Sequence, residues 1–272
     1  MKQHLKAGWS LTVRHLYIII VLFVYQLLWG FFLYRFVDGI IIPLLRRYPG
    51  SGMPASAARL YVYEAEFRLM KTDLIQPYLW TFAGLIVLRM LLTPLLNAGL
   101  FHSLHHASTE QGTRFLQGMR RAWLPITILY WVESLLALAP AYWLLPRALS
   151  TILSGVSVKS IIMELLPSAS GWLSWGVLLH LFFLAMQLSA ASGGGAFNGL
   201  WRAFRHFLPY IGMSLFLWCA IGALGLFVFS ASLLWAGFLA IVVHQGYRFV
   251  KTLLKVWTIA SQYDCLQSRS QT

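Results

Sequence analysis

The chain has 272 residues, of which 59% are hydrophobic and 11% charged, with a mean hydropathy of +0.69. An ordinary soluble domain carries about 25% charged residues, so the composition argues against a soluble enzyme, a disordered chain and a binder of nucleic acid. The net charge of +13, from 21 Lys and Arg against 8 Asp and Glu, fits a polytopic membrane protein whose basic inner segments meet the anionic lipids of the inner leaflet.

A helical span needs about 20 apolar residues. On that rule the fold class is all-α, a single integral membrane domain over residues 1–272 in repeated hairpins. Six transmembrane helices are expected, at about 16–34, 77–102, 123–145, 172–188, 207–229 and 233–247. The first follows Lys2, Lys6 and Arg14. It is longer than the apolar core of a signal peptide and no small-residue cleavage site follows directly, so it reads as an uncleaved span. After the turn at Pro49-Gly50-Ser51-Gly52, Arg59 to Leu74 intersperses Leu60, Tyr61, Tyr63, Phe67, Leu69 and Met70 with charges. This is the pattern of an amphipathic helix lying on the membrane surface, and Ala148 to Leu166 reads likewise. Either could be a connector or a docking face for an extracytoplasmic partner.

The last two spans share the apolar stretch Phe207 to Val243, with the turn expected at Ser230 to Ser232. The sixth helix can continue past Gly246 to Ile259 as its basic last turns, with Arg248, Lys251 and Lys255, leave the membrane. Six spans with the N-terminus inside put 12 of the 21 Lys and Arg in inner segments and 8 in outer ones. That favours a multi-pass protein of the cell membrane with both termini cytoplasmic; five spans would put the C-terminus on the other side. Trp9, Trp29, Trp80, Trp123, Trp143, Trp172, Trp201 and Trp235 fall near span ends, as an interfacial belt does.

A shift of 84 residues lays Leu116 to Pro125 (LQGMRRAWLP) over Leu200 to Pro209 (LWRAFRHFLP). Leucine, arginine, leucine and proline coincide at 116/200, 121/205, 124/208 and 125/209. Each copy follows a small polar loop and leads into a span whose third residue is proline, which the first helical turn tolerates. The second copy lies in GGGAFNGLWRAFRHFLPYIGMSLFLWCAIGALGLFVF (Gly193 to Phe229). This stretch resembles a hairpin of many uncharacterised bacterial polytopic membrane proteins. It is also similar to the membrane region of some glycerophosphodiester phosphodiesterases. The resemblance implies a fold of membrane hairpins. It carries over no activity and no functional residue, since no soluble phosphodiesterase domain is read in this chain.

Ionisable side chains inside spans mark candidate sites. Arg89 and Glu133 are the clearest, about 20 Å and 15 Å from the inner ends of their spans at 1.5 Å per residue. They read as an ion pair fixing helix packing, or as a substrate or proton site; in a third case Arg89 snorkels and they never meet. His180 lies near the depth of Glu133, and His244 lies in the sixth span. With Glu133 these histidines form either a proton relay or ordinary hydrogen bonds to carbonyls. His102, His105 and His106 share one helical turn, a spacing that could hold zinc with Glu110 as a fourth ligand, or could tune charge near headgroups.

Ala190-Ala191-Ser192-Gly193 lacks the first glycine of a rhomboid-type serine motif, and Asp38, Asp73 and Asp264 all lie outside the spans. No P-loop, nucleophile elbow or dinucleotide glycine pattern occurs. The expected function is therefore non-enzymatic and free of cofactors: an accessory membrane component acting through lipids or a membrane-protein partner. The alternative is a small-solute transporter with Arg89, Glu133 and His180 lining its path. An enzyme would require a cavity holding Ser192 or the histidine cluster.

Overall fold

The computed structural model describes residues 2–47, 76–105, 111–153, 158–234 and 238–268, and within them every regular element is an α-helix. In chain order these are α1 (Lys2–Arg14), α2 (Leu16–Arg47), α3 (Gln76–His105), α4 (Gln111–Arg121), α5 (Trp123–Leu138), α6 (Ala141–Leu153), α7 (Val158–Ala191), α8 (Ala196–Arg205), α9 (Phe207–Leu234) and α10 (Phe238–Ser268). Among the described residues five helical stretches are long and apolar enough to cross a membrane: Leu16–Gly39, Gln76–His105, Trp123–Thr151, Ile161–Ala191 and Phe207–Ser232. They correspond to the first five expected spans, and the chain has the helices of a multi-pass membrane protein.

Several boundaries differ from the sequence reading. Ala148 to Leu166 is not a separate surface helix: its first part completes α6 and its last part opens α7. The helix is continuous through Pro167, a residue a membrane helix tolerates where neighbours satisfy the freed carbonyl. The expected turn at Ser230 to Ser232 is helical, and Ser232 Oγ donates back to the Val228 carbonyl. The expected surface helix at 59–74, like Trp235, lies outside the described residues.

The helices form two compact units, residues 21–93 and residues 1–20 with 94–272. In the first, Tyr25 Oη and Thr93 Oγ1 share a hydrogen bond of 2.9 Å, and Phe36 stacks on Phe82.

The second unit is built on three breaks, at His15, Ala122 and His206, each directly after an arginine (Arg14, Arg121, Arg205). Ala122 and His206 are 84 residues apart, the shift at which the sequences align. Their cause is local. Pro125 and Pro209 have no N–H for the carbonyls of Arg121 and Arg205, and the ring of each crowds that carbonyl. The backbone opens one residue later, with φ/ψ of −106/0° at Ala122 and −116/34° at His206. His15 has no such proline. Its amide bonds to the Thr12 carbonyl, and its ring Nδ1 bonds to the Leu11 carbonyl that the amide leaves behind.

Each short helix before a break packs on the C-terminal turns of a long one, α1 and α8 running antiparallel to theirs. On α8, Gly199 sits against the Ala185 carbonyl and Ser189 of α7. The turn that brings α8 back requires positive φ, supplied by Gly193 and Gly195, both at 78°. On α4, Gly118 meets Ala98 and His102 of α3, and Phe115 lies on Gly99. On α1, Gly8 meets Ser261 of α10, His4 Nδ1 bonds to Asp264 Oδ2 at 2.8 Å, and Trp257 Nε1 donates to the Leu5 carbonyl at 2.9 Å.

The hairpin of α9 and α10 is antiparallel. Gln262 Nε2 donates to Ser214 Oγ at 2.7 Å, and Tyr247 Oη sits against Gly225. Cys265 is buried on α10 with Met213 and Leu217. One expectation is corrected here. Lys251 shares a groove with Trp218 and Ile221, so the basic turns run beside the middle of α9 instead of leaving past its end. The reason is the face Thr252, Val256, Ile259, Tyr263 and Leu266, at helical spacing, whose burial holds α10 along the bundle to Ser268.

Candidate functional site

Two polar sites emerge in the larger unit. The first lies where α5 places Glu133, ten residues beyond Trp123, about 15 Å along a helix. His180 Nδ1 meets Glu133 Oε1 at 2.7 Å, and Gln187 Nε2 donates to Oε2 at 3.0 Å. His180 and Gln187 stand two turns apart on one face of α7, so one carboxylate ties both turns to α5. The His180 ring stacks on Trp218 of α9, with centroids 6.0 Å apart. His180 is half-exposed at 49% while Glu133 is 13% exposed. Beside them is a cleft of about 480 Å³ with Leu138, Trp172, Gly176 and Trp218 in its wall.

Pro140 shapes this region. It has no N–H for the Leu136 carbonyl, and the helix breaks there between α5 and α6. Trp175 Nε1 donates to Leu136 O at 3.1 Å, and Trp172 Nε1 to Ala137 O at 2.7 Å. Trp172, expected in an interfacial belt, therefore satisfies backbone freed by a break.

The second site is a cavity of about 270 Å³ where the C-terminal ends of α3, α7 and α10 meet. Its wall includes His105 from α3, Ser189 from α7, Ser192 and Gly194 from the turn, Arg202 from α8, and Tyr263 and Gln267 from α10. His105 Nδ1 and Tyr263 Oη are 2.7 Å apart. Burial pushes the Tyr263 phenol up to about 12, and nearby Asp264 adds to this against a hydrogen bond from Gln267. The phenol therefore stays protonated at neutral pH and shares a hydrogen bond with His105 Nδ1. Ser189 Oγ donates to Gly195 O and Ser192 Oγ to Ser189 O.

Of the residues singled out from sequence, Glu133 and His180 are thus in direct contact. Arg89 belongs to the smaller unit, where its guanidinium carbon is 5.4 Å from the centroid of Trp29, a cation–π distance. The carboxylate expected to pair with it finds partners on α7. His105 and Ser192, which the sequence offered separately, share one cavity. His102 packs its Cβ against Gly118. His106 and Glu110 lie outside the described residues, and so does the side chain of His244. Among the described residues no group of three metal-ligating side chains assembles.

Sequence reasoning missed Gln187, Trp218, Lys251 and Tyr263. Gln187 carried a usable signal, since it repeats His180 at seven residues. Tyr263 carried another in the helical period of the buried α10 face.

Comparison with protein-family models, with curated proteins and with solved structures finds no match to this chain.

Proposed function

We propose that this protein is a multi-pass component of a bacterial plasma membrane, without catalysis of its own, that holds anionic lipid at its cytoplasmic end in support of a membrane-protein partner. One observation carries the reading: three short helices, each closing on an arginine, gather at the end of the bundle where α3, α7 and α10 terminate. Lys6, Arg14, Arg120, Arg121 and Arg205 are exposed there. Phe197, Trp201 and Phe204 form an exposed face on α8, at 81%, 72% and 61%. Arginine beside aromatic rings is the chemistry of an anionic membrane interface. On this reading the fold is three hairpins, each a short basic helix, an outgoing span and a returning span. α10 is then the sixth crossing, and the resemblance to bacterial hairpin proteins is kinship. Both termini lie inside, in keeping with the bond between His4 and Asp264.

The test is thermal melting of the purified protein in detergent with added phosphatidylglycerol or phosphatidylcholine. The reading expects phosphatidylglycerol to raise Tm by several degrees more than phosphatidylcholine. Equal shifts would overturn it.

The contact of Glu133 with His180 favours a second reading, a transporter of protons or small solutes. A carboxylate and a half-exposed imidazole at mid-depth, with Lys251 in the groove on the other side of Trp218, are the polar groups such a path needs. Proteoliposomes loaded with a pH-sensitive dye decide it. Proton flux above that of empty vesicles, lost in Glu133→Gln, would replace the first reading with this one.

A further inference from the structure

We infer that the cavity between the ends of α3, α7 and α10 is a phosphate-binding site, which takes the phosphate of an anionic lipid headgroup or a free phosphate. The inference deepens the proposed function and rests on it only for the lipid as source.

The lining decides the sign of the ligand. Among the described residues no carboxylate lines the cavity, while Arg202 and His105 do. Asp264, next in sequence to Tyr263, is bonded to His4 instead. Among the described residues Arg202 has no acidic partner within ion-pair distance. An arginine fork matches two oxygens of a phosphate. His105 is held in place by Tyr263 through Nδ1 at 2.7 Å. The hydroxyls of Ser189 and Ser192, which donate to Gly195 O and Ser189 O, would reach a third oxygen by exchanging those bonds for one to the ligand. These donors come from three separate helices and a glycine turn, so the packing of the bundle sets their spacing before any ligand arrives. About 270 Å³ exceeds the roughly 30 Å³ that one water occupies in the liquid, leaving room for a phosphate with part of its headgroup. The aromatic face of α8, on the same helix as Arg202, supplies an apolar neighbour for acyl chains.

The experiment uses the full chain in detergent and two probes, radiolabelled inorganic phosphate and phosphatidylglycerol detected by native mass spectrometry. Wild type is compared with Arg202→Gln and with Arg147→Gln, an exposed arginine on α6 outside both the cavity and the basic cluster. Arg202→Gln should weaken binding by about tenfold, the loss expected for one charge-assisted hydrogen bond, and Arg147→Gln should leave it unchanged. Arg202→Lys, which keeps the charge and loses the fork, should fall between wild type and Arg202→Gln. It also serves as the folded comparator if the glutamine variant does not melt cooperatively. Binding of phosphatidylglycerol alone identifies the lipid as source, and binding of inorganic phosphate alone identifies the free ion. The site is overturned if wild type binds neither probe, or if the Arg202 and Arg147 variants lose binding equally. In the latter case a retained preference of Tm for phosphatidylglycerol leaves the wider reading standing. Loss of that preference with phosphate still bound would overturn the wider reading alone.

Discussion

Tyr263 shows how much one side chain at the cavity is asked to do. Its phenol is 8% exposed and bonds to His105 across from another helix, and burial raises it from an ordinary 10.0 to about 12. In the unfolded chain the phenol loses its proton near pH 10, while in the folded chain it keeps it to about pH 12. The folded state therefore binds more protons in that window, and stability falls as pH rises through it. A pH series of melting curves should show Tm insensitive to this residue below about pH 9 and declining from pH 10 to 12. Tyr263→Phe should start lower, having lost the bond to His105, and decline less steeply. Parallel declines would show that Tyr263 contributes nothing to the alkaline limb. Glu133 and His180 were legible in the sequence because a charge inside an apolar run is conspicuous. Their partner Gln187 was not, since an uncharged amide near a span end does not stand out. The pairing of Glu133 with α7 depends on which helix faces which, and no count of depth along single helices contains that information.

The elements were easier to read where hydropathy decides them and harder where packing does. Five apolar helices follow from composition alone, and prolines at the third position of two spans explain where α4 and α8 stop. The break at His15 has no proline and became visible only through the hydrogen bonds of its ring and amide. α10 was misread beyond Gly246 because its charges suggested an exit from the membrane. Its buried face repeats at helical spacing under those charges, and that face keeps it packed. The short helices depend on close approach, which makes their glycines testable. A methyl at Gly199 would run into the Ala185 carbonyl and the Cβ of Ser189, and one at Gly8 would meet the backbone N and Cα of Ser261 at 2.7 and 2.8 Å. Backbone cannot yield as a side chain does, so Gly199→Ala and Gly8→Ala should each destabilise by about 1–3 kcal/mol. Gly212, on α9 with nothing within 4 Å of an added methyl, is the control, and Gly212→Ala should stay within about 1 kcal/mol of wild type. Similar melting of the Gly199 and Gly212 variants would mean that α8 does not pack as closely as its glycine allows.

At the scale of the larger unit, the short helices follow a rule with one exception. α4 packs on α3 and α8 on α7, in each case the long helix just before it in the chain. α1 packs instead on α10, far along the chain, with Leu5 and Trp257 covering the buried cluster of Met213, Leu217 and Cys265. This contact makes Cys265 a reporter of whether α1 stays seated. At 1% exposure its thiol should resist alkylation in the folded protein, and it should react only through local opening of α1 or global unfolding. In a Cys219→Ser background, which removes the exposed thiol on α9, maleimide labelling should be slow. Leu5→Ala should speed it several-fold by thinning the cover while the fold persists. Deletion of residues 1–14 should speed it at least tenfold at a temperature where melting shows the remaining helices folded. If labelling of the deleted form is as slow as that of the intact chain, α9 and α10 protect the thiol by themselves. The seating of α1 on α10 would then be a consequence of the fold instead of one of its supports.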